Sequence, residues 1–201
     1  MTPTSNAAQV LWTGIAGHGR AACTAARIMR DDMFSGRGIR TLSALHPRFD
    51  PLAYQQGNVW PFDNALIVSG LRRYGSDAAA SRIVSATLDA ARGFRLGRLP
   101  EFLVGTQRLG GDAPTHTPRA DPLQAWSAAA VPLMVTELLG LQADGFARRL
   151  RVHRPMLPEG VDELTLRGLR VAGATVSLRF RHRDDAVRTE VLTLDGILEI
   201  A

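Results

Sequence analysis

Apolar residues recur at helical spacing in four segments of the first 145 residues. In one of them Leu66, Ile67 and Leu71 share a face, and Gly75 is suited to a left-handed helix stop. The pattern predicts helices over 18–30, 62–75, 77–92 and 122–139. Because only one or two residues separate the second helix from the third, we expect these two to form an antiparallel αα-hairpin.

The fourth predicted helix carries the clearest boundary signals. Asp121 can act as the N-cap, Pro122 takes the first helical position, and Gly140 follows the last turn. Helical spacing then predicts which side chains face the core. The expected buried stripe consists of Trp126, Ala129, Ala130, Leu133 and Met134.

Two long segments, 31–61 and 93–120, show no helical periodicity and are rich in glycine and proline. Both therefore read as loops. Loops of this length are uncommon in compact domains and are usually functional. We therefore expect a binding or catalytic site on these segments.

From residue 148 the apolar positions alternate with polar ones, which is typical of strands with one buried face. Val176, Leu178 and Phe180 point one way, so the pattern predicts a half-buried antiparallel sheet. Asp184–Asp185 resembles a hairpin tip, and Asp195–Gly196 resembles a type I′ turn. The chain accordingly divides into a helical part, 1–145, and a β segment, 146–201.

The composition bears on which classes of binding partner we expect. The 201 residues are 45% hydrophobic and 21% charged, as in ordinary globular proteins. The formal charge is +5 and all 24 basic residues are arginine, but they are scattered among acidic residues. Nucleic-acid binding needs a clustered basic surface, so we expect no nucleic-acid partner.

Other patterns are missing from the sequence. It has no apolar run of membrane-spanning length and no leader-like N-terminus, so we expect no membrane partner and a cytoplasmic location. One cysteine, Cys23, and five histidines show no metal-ligand spacing. No dinucleotide or phosphate-loop motif occurs either. We expect neither a metal nor a cofactor.

The first candidate site lies where the 31–61 loop enters the second predicted helix. Amides, an aromatic ring and a carboxylate surround Gly57, a set that suits hydrogen bonds to sugar hydroxyls and stacking under a sugar ring. The candidate sugar contacts are Gln56, Trp60, Asp63 and Asn64. The alternative interpretation is that Asp63 and Asn64 cap the helix and that Trp60 packs in the core.

A second candidate is Glu101, a single carboxylate among apolar neighbours. Such a carboxylate can serve as a general acid or base near neutral pH. The alternative is a glutamate that points to solvent from a helix start. Gln124 and Trp126 form a third candidate just inside a helix N-terminus, although a tryptophan there is more often part of the core.

Five sequence segments occur in the order seen in one enzyme family: SNAAQVLWTGIA, DDMFSGRGIRTLS, QQGNVWPFDNALIVSGLRRYG, RLPEFLVG and PLQAW. The chain resembles the C-terminal part of the prokaryotic amylo-α-1,6-glucosidases, which are glycogen debranching enzyme-like glycoside hydrolases. These are similar to glycoside hydrolase family 63 and the trehalase-like clan. The chain departs from the family pattern at several positions. Gln55 and Gln56 stand where the family usually has His-Asn, Phe62 stands in place of a histidine, and Asn58 replaces a common serine.

The resemblance implies a mainly α fold: part of an (α/α)6 toroid followed by a small C-terminal antiparallel β layer. It also implies inverting hydrolysis of α-glucosidic bonds in an oligosaccharide or α-glucan, with Glu101 as general base. The family's general-acid motif has no counterpart here, so we expect the chain alone to be inactive. Self-association or a partner chain could supply missing helices. The alternative is a non-catalytic carbohydrate-binding or partner-binding remnant.

Overall fold

A computed structural model of the chain describes residues 2–184 and 186–201. The chain forms two compact units, Met1–Met134 and Val135–Ala201, each described here by itself. The described residues contain α1 (Gln9–Thr13), α2 (His18–Ile28), α3 (Pro61–Arg73), α4 (Asp77–Ala91) and α5 (Ala125–Leu138). Single 3₁₀ turns at Ser5–Ala8 and Arg95–Gly97 complete the helical structure. No helix in this part of the chain is both long and apolar enough to cross a membrane.

The expected mainly α fold and partial (α/α)6 toroid are wrong. The described residues hold five α-helices and six strands in two sheets, and α1 is only five residues long. Long paired helices are what a toroid requires, and here α3 and α4 form such a pair. Proline and glycine keep the two long loops from adding further helices. The architecture is therefore mixed, with helices in the first unit and strands in the second.

The sequence located three helices correctly. The α2, α3 and α4 boundaries lie within two residues of those predicted, and Gly75 has the expected left-handed φ of 76°. The predicted αα-hairpin of α3 and α4 is also confirmed. Gly70 of α3 lets α1 approach closely, because a Cβ there would lie 2.5 Å from the backbone nitrogen of Trp12.

The 31–61 segment is ordered by short β-bridges to other parts of the first unit. Residue pairs Arg40–Val59 and Val59–Leu103 bridge antiparallel, which ties the two long loops together. The buried Arg40 guanidinium donates to the Gly105 carbonyl at 2.6 Å and to Gln107 Oε1 at 2.8 Å. Burial lowers the pKa of Arg40. The backbone that carries the candidate site is thus held by buried hydrogen bonds.

Two expectations for α5 are wrong. The helix begins at Ala125 rather than at Pro122, because Asp121 accepts a hydrogen bond from the Leu123 amide at 3.0 Å and forms a turn. The buried positions also differ from the expected stripe, since Trp126 is 42% exposed. Ala129 is exposed and Leu133 is half-buried. The buried side chains of this helix are Ser127, Ala130, Met134 and Leu138.

The second unit contains two three-stranded sheets rather than the one expected. In one, β3 (Glu163–Val171), β4 (Ala174–Arg183) and β5 (Ala186–Asp195) pair antiparallel. In the other, β2 (Arg149–Val152) lies between β1 (Leu141–Asp144) and a parallel β6 (Glu199–Ile200).

The buried face of the antiparallel sheet agrees with the alternation in the sequence. Val176, Leu178 and Phe180 are fully buried, as predicted. The predicted type I′ turn at Asp195–Gly196 is wrong, because Gly196 has a positive φ but Asp195 does not, and β5 and β6 belong to different sheets. Ala172–Gly173, with φ of 51° and 84°, forms the tight turn between β3 and β4. The predicted tip at Asp184–Asp185 cannot be compared, since Asp185 lies outside the described residues.

Candidate functional site

A pocket of about 360 Å³ opens in the first unit at the N-terminus of α3. Its walls come from the chain's N-terminal turn, the 31–61 loop, α3 and the start of α5. The middle and the C-terminal end of the long loop contribute, and so does the helix that follows it. The lining residues are Thr4, Ser5, Asn6, Thr41, Leu42, Tyr54, Gln55, Trp60, Phe62, Asp63 and Trp126.

Aromatic rings form one side of this pocket. Phe62 stacks on Trp126 with 4.2 Å between ring centroids and an interplanar angle of 11°. Trp60 stacks on Phe102 at 5.5 Å, and its edge meets Trp126 at 5.8 Å. The Trp60 Nε1–H donates to Asn58 Oδ1 at 2.8 Å, so the indole is fixed in place. The cluster presents a rigid apolar surface at the pocket.

Trp60 and Trp126 contribute differently to that surface. Trp60 is only 4% exposed and belongs to the core as well as to the pocket wall. Trp126 is the more accessible ring, although helical spacing placed it in the core. Phe62, which stands where a histidine was expected, supports Trp126 from one face. The pocket therefore has a stacked aromatic pair at its edge.

Asp63 is the buried polar group of the pocket. It is 8% exposed, and Gln9 of α1 donates a hydrogen bond from Nε2 to its Oδ1. Burial raises the pKa of Asp63, while hydrogen bonds from Ser5 and Gln9 act in the opposite direction. The expected helix cap is not formed, since α3 begins after Trp60 without any side-chain cap.

Glu101 lies behind the aromatic cluster, where one phenol links it to the pocket. The hydroxyl of Tyr54 donates to Glu101 Oε1 at 2.8 Å, and the Asp121 amide donates to Oε2 at 3.3 Å. Glu101 is 8% exposed, so it does not point to open solvent. The hydrogen bond raises the pKa of Tyr54, because a phenolate would face the Glu101 carboxylate.

Besides Glu101, three predicted site residues lie outside this pocket lining. Asn64 is fully buried, and its amide bonds to the backbone nitrogen and oxygen of Ile39 at 2.7 and 3.2 Å. It holds the loop to α3. Gln56 is exposed, while its neighbour Gln55 lines the pocket. Gln124 borders a separate groove of about 500 Å³ beside Leu99.

Sequence reasoning missed Tyr54, Ser5 and Gln9. Tyr54 stands two residues before Gln56 in the same loop, so its position there was a usable signal. Ser5 and Gln9 had no such signal, because they approach Asp63 only through the packing of the N-terminal turn and α1 on α3.

The part of the chain described here holds no cluster of three or more histidine, cysteine or acidic side chains that could bind a metal.

Comparison with protein-family models gives one match. Residues 4–96 are similar to the mannosylglycerate hydrolase MGH1-like glycoside hydrolase domain. This range contains Trp60 and Asp63, whereas Glu101 and Trp126 lie beyond it. The comparison supports a glycoside hydrolase-like domain, in agreement with the coarser part of the sequence prediction.

A solved structure also resembles this chain. An uncharacterized conserved protein from Thermus thermophilus is 27% identical over 67% of the chain, with a TM-score of 0.51. The chain covers 32% of that protein, and thus spans about a third of its length. It is one of four solved chains that match, whereas no curated protein matches.

Proposed function

We propose that the pocket between the N-terminal turn and α3 is the sugar site of a glycoside hydrolase. The observation that carries this proposal is the overlap of residues 4–96, the glycoside hydrolase-like range, with the pocket that contains Trp60 and Asp63. Aromatic faces contact the C–H groups of a sugar ring, and carboxyl and amide groups bind its hydroxyls. The lining supplies both kinds of group in one cavity.

The proposed substrate is a glycoside of a small hydroxy acid, of the mannosylglycerate type named in the family description. Sugar and acid together make a ligand of the size that a cavity of about 360 Å³ accommodates. An α-1,6-linked glucan is the second candidate. It is favoured by the segment order that resembles the amylo-α-1,6-glucosidases.

The proposed general base is Glu101. In an inverting hydrolase the base takes a proton from a water molecule as that water attacks the anomeric carbon. A separate acid gives a proton to the leaving oxygen, and the bond from the anomeric carbon to that oxygen breaks. Tyr54 would hold the Glu101 carboxylate through Oε1, leaving Oε2 with one long backbone contact. We assign no acid among these residues.

A non-catalytic carbohydrate-binding role is the alternative in a different class. It is favoured by the depth of Glu101, which is 8% exposed and lies outside the pocket lining. In that case the aromatic surface would bind sugar while no bond is broken.

The test is to assay the purified chain for both binding and hydrolysis. Mannosylglycerate, isomaltose and maltooligosaccharides are titrated calorimetrically, and released sugar is measured over long incubations. We expect binding without turnover at ordinary enzyme rates, because no general acid is assigned here and acid assistance contributes about 10²–10⁴-fold of rate. Turnover that Glu101→Gln abolishes and Glu190→Gln leaves unchanged would establish the chain as a complete enzyme. Absence of binding to all three substrates would refute the sugar site.

A further inference from the structure

The side chains of Asp63 and Gln9 face each other between α3 and α1, 54 residues apart in sequence. Gln9 Nε2 donates to Asp63 Oδ1. The other oxygen of each group, Asp63 Oδ2 and Gln9 Oε1, is buried. Neither oxygen has a well-formed hydrogen bond to any group in the described part of the chain. The Ser5 side chain also acts on the Asp63 carboxyl, but these two buried acceptors are left without a well-formed donor.

A single proton would satisfy both of these oxygens. An ionised carboxylate only accepts hydrogen bonds, and so does an amide oxygen. A protonated carboxyl gains one O–H donor while its second oxygen remains an acceptor. A proton on Asp63 Oδ2 can therefore be donated to Gln9 Oε1, which completes a ring of two hydrogen bonds between the acid and the amide.

The surroundings of Asp63 disfavour its anion. The turn at Ser5–Ala8 and α1, which pack against α3, carry no ionisable side chain. On α3 the cations Arg72 and Arg73 lie about 13 Å or more further along the helix axis. A buried carboxylate without a cationic partner is costly, and burial accordingly raises the pKa of Asp63.

The remaining charged groups near this region are occupied elsewhere. The α4 residue Asp77 pairs with Arg72, and Asp89 of the same helix pairs with Arg108. Arg82 of α4 lies over the Phe34 ring at 4.4 Å. Across the pocket, Glu101 receives the Tyr54 hydroxyl. None of these groups is among those that shift the ionisation of Asp63.

We propose that Asp63 is a neutral carboxylic acid, locked to Gln9 by two hydrogen bonds, and that Gln9 thereby fixes the charge of the pocket wall. The described lining residues include no arginine or histidine, so the pocket as a whole is uncharged. It therefore suits the uncharged, hydroxyl-bearing sugar part of the proposed substrate rather than its carboxylate. This inference concerns the chain's own residues and does not depend on glycoside hydrolysis.

The test compares wild type with Asp63→Asn, an amide that keeps both hydrogen bonds and cannot ionise. Urea unfolding is measured between about pH 4 and pH 8, beside the exposed control Asp162→Asn. A raised pKa means that the folded state holds the proton more tightly than the unfolded state. We compare the unfolding constant of wild type with that of Asp63→Asn at each pH. Their ratio should rise roughly tenfold per pH unit above about pH 4, until Asp63 ionises in the folded chain.

A second measurement covers the case in which Asp63→Asn does not fold. Carbon-detected NMR of wild type, labelled at the aspartate carboxyl carbons, should show one aspartate still protonated at about pH 5, where exposed aspartates are ionised. A relative unfolding constant that is flat or falls with pH would overturn the proposal. So would the finding that every aspartate is ionised at about pH 5. Neither measurement uses a sugar, so the outcome is separate from that of the glycoside assays.

Discussion

The Trp60 ring is enclosed by four other aromatic rings, and its Nε1–H is bonded to Asn58. Such an arrangement gives the indole two roles, since it fills the core and faces the pocket. Trp126 has more freedom, because it is 42% exposed. The two tryptophans should therefore respond differently to truncation.

Truncation of Trp126 should weaken sugar binding without unfolding the chain. Trp126→Ala removes an exposed stacking surface, and we expect an affinity loss of about 5- to 20-fold, the scale of roughly 1–2 kcal/mol. Trp12→Ala is the matched control, because Trp12 is 45% exposed and lies outside the pocket lining. Titration calorimetry with mannosylglycerate checks the result. Equal affinities for the two variants would show that Trp126 does not contact the ligand.

Truncation of Trp60 should destabilise the chain as well. Removing a buried aromatic side chain costs about 3–5 kcal/mol of unfolding free energy. We therefore expect Trp60→Ala to lower the urea midpoint markedly and Trp60→Phe to lower it less. If Trp60→Ala loses sugar binding at an unchanged midpoint, the indole acts as a ligand contact rather than as part of the core.

The bond between Tyr54 and Glu101 gives a spectroscopic prediction at the same scale. The chain has two tyrosines, and the hydrogen bond to Glu101 raises the pKa of Tyr54. In an alkaline ultraviolet titration, Glu101→Gln should therefore lower the pH at which Tyr54 ionises. Tyr74→Phe simplifies the assignment, since it leaves Tyr54 as the one phenol. An unchanged titration in Glu101→Gln would mean that the hydrogen bond does not form in solution.

At the scale of elements, the packing of α1 on α3 places Gln9 beside Asp63. This packing depends on Gly70, whose missing side chain lets the α1 backbone approach. The site is therefore sensitive to a residue that does not line it.

A methyl group at position 70 should disturb this packing. The new Cβ would lie 2.5 Å from Trp12 N and 2.6 Å from Leu11 Cβ, so Gly70→Ala should cost about 1–3 kcal/mol of unfolding free energy. Gly19→Ala in α2 is the matched control, because a Cβ there meets nothing within 4 Å. That change should be neutral or stabilising by up to about 1 kcal/mol. Thermal or urea unfolding distinguishes the two, and equal stabilities would contradict the close approach of α1.

At the scale of the whole molecule, the half-buried Asp32 and the buried Asp63 give opposite pH trends. The Arg27 guanidinium donates to both oxygens of Asp32, at 2.9 and 2.6 Å, and lowers the pKa of that carboxyl. The ionised Asp32 therefore stabilises the folded chain above the pKa of about 3.9 that it has in the unfolded chain. This stabilisation is lost as the pH falls through the lower pKa of Asp32 in the folded chain. The pKa of Asp63 is raised in the folded chain, so the stability that its protonated form contributes is lost as the pH rises.

We therefore expect unfolding free energy to fall on the acid side partly through Asp32. Asp32→Asn should reduce stability near pH 7 and flatten the decline below about pH 4, because its amide cannot exchange a proton. Urea unfolding across pH 2–7 measures this effect, with exposed Asp162→Asn as control. If wild type and Asp32→Asn decline in parallel, the pair with Arg27 does not carry the acid sensitivity.

Local patterns in the sequence were sufficient for several elements. Helical spacing predicted α2, α3 and α4, and the alternation around Val176 predicted the buried face of β4. These features depend on neighbours within a few residues, which is the range that periodicity reports. The sequence also singled out Trp60 and Asp63, because aromatic and amide-rich loops before a helix are unusual. Their role in binding remains a prediction.

The assembly of the site was decided by tertiary structure. Tyr54 meets Glu101 across 47 residues, and Gln9 meets Asp63 across 54, so no local spacing could reveal either pair. Trp126 faces the pocket because other residues of α5 fill the core, which a helical stripe alone cannot specify. The toroid expectation failed for the same reason. Short motifs that resemble a family indicate which side chains a loop presents. They do not determine how many helices form or which helices pair, because that depends on contacts between distant segments.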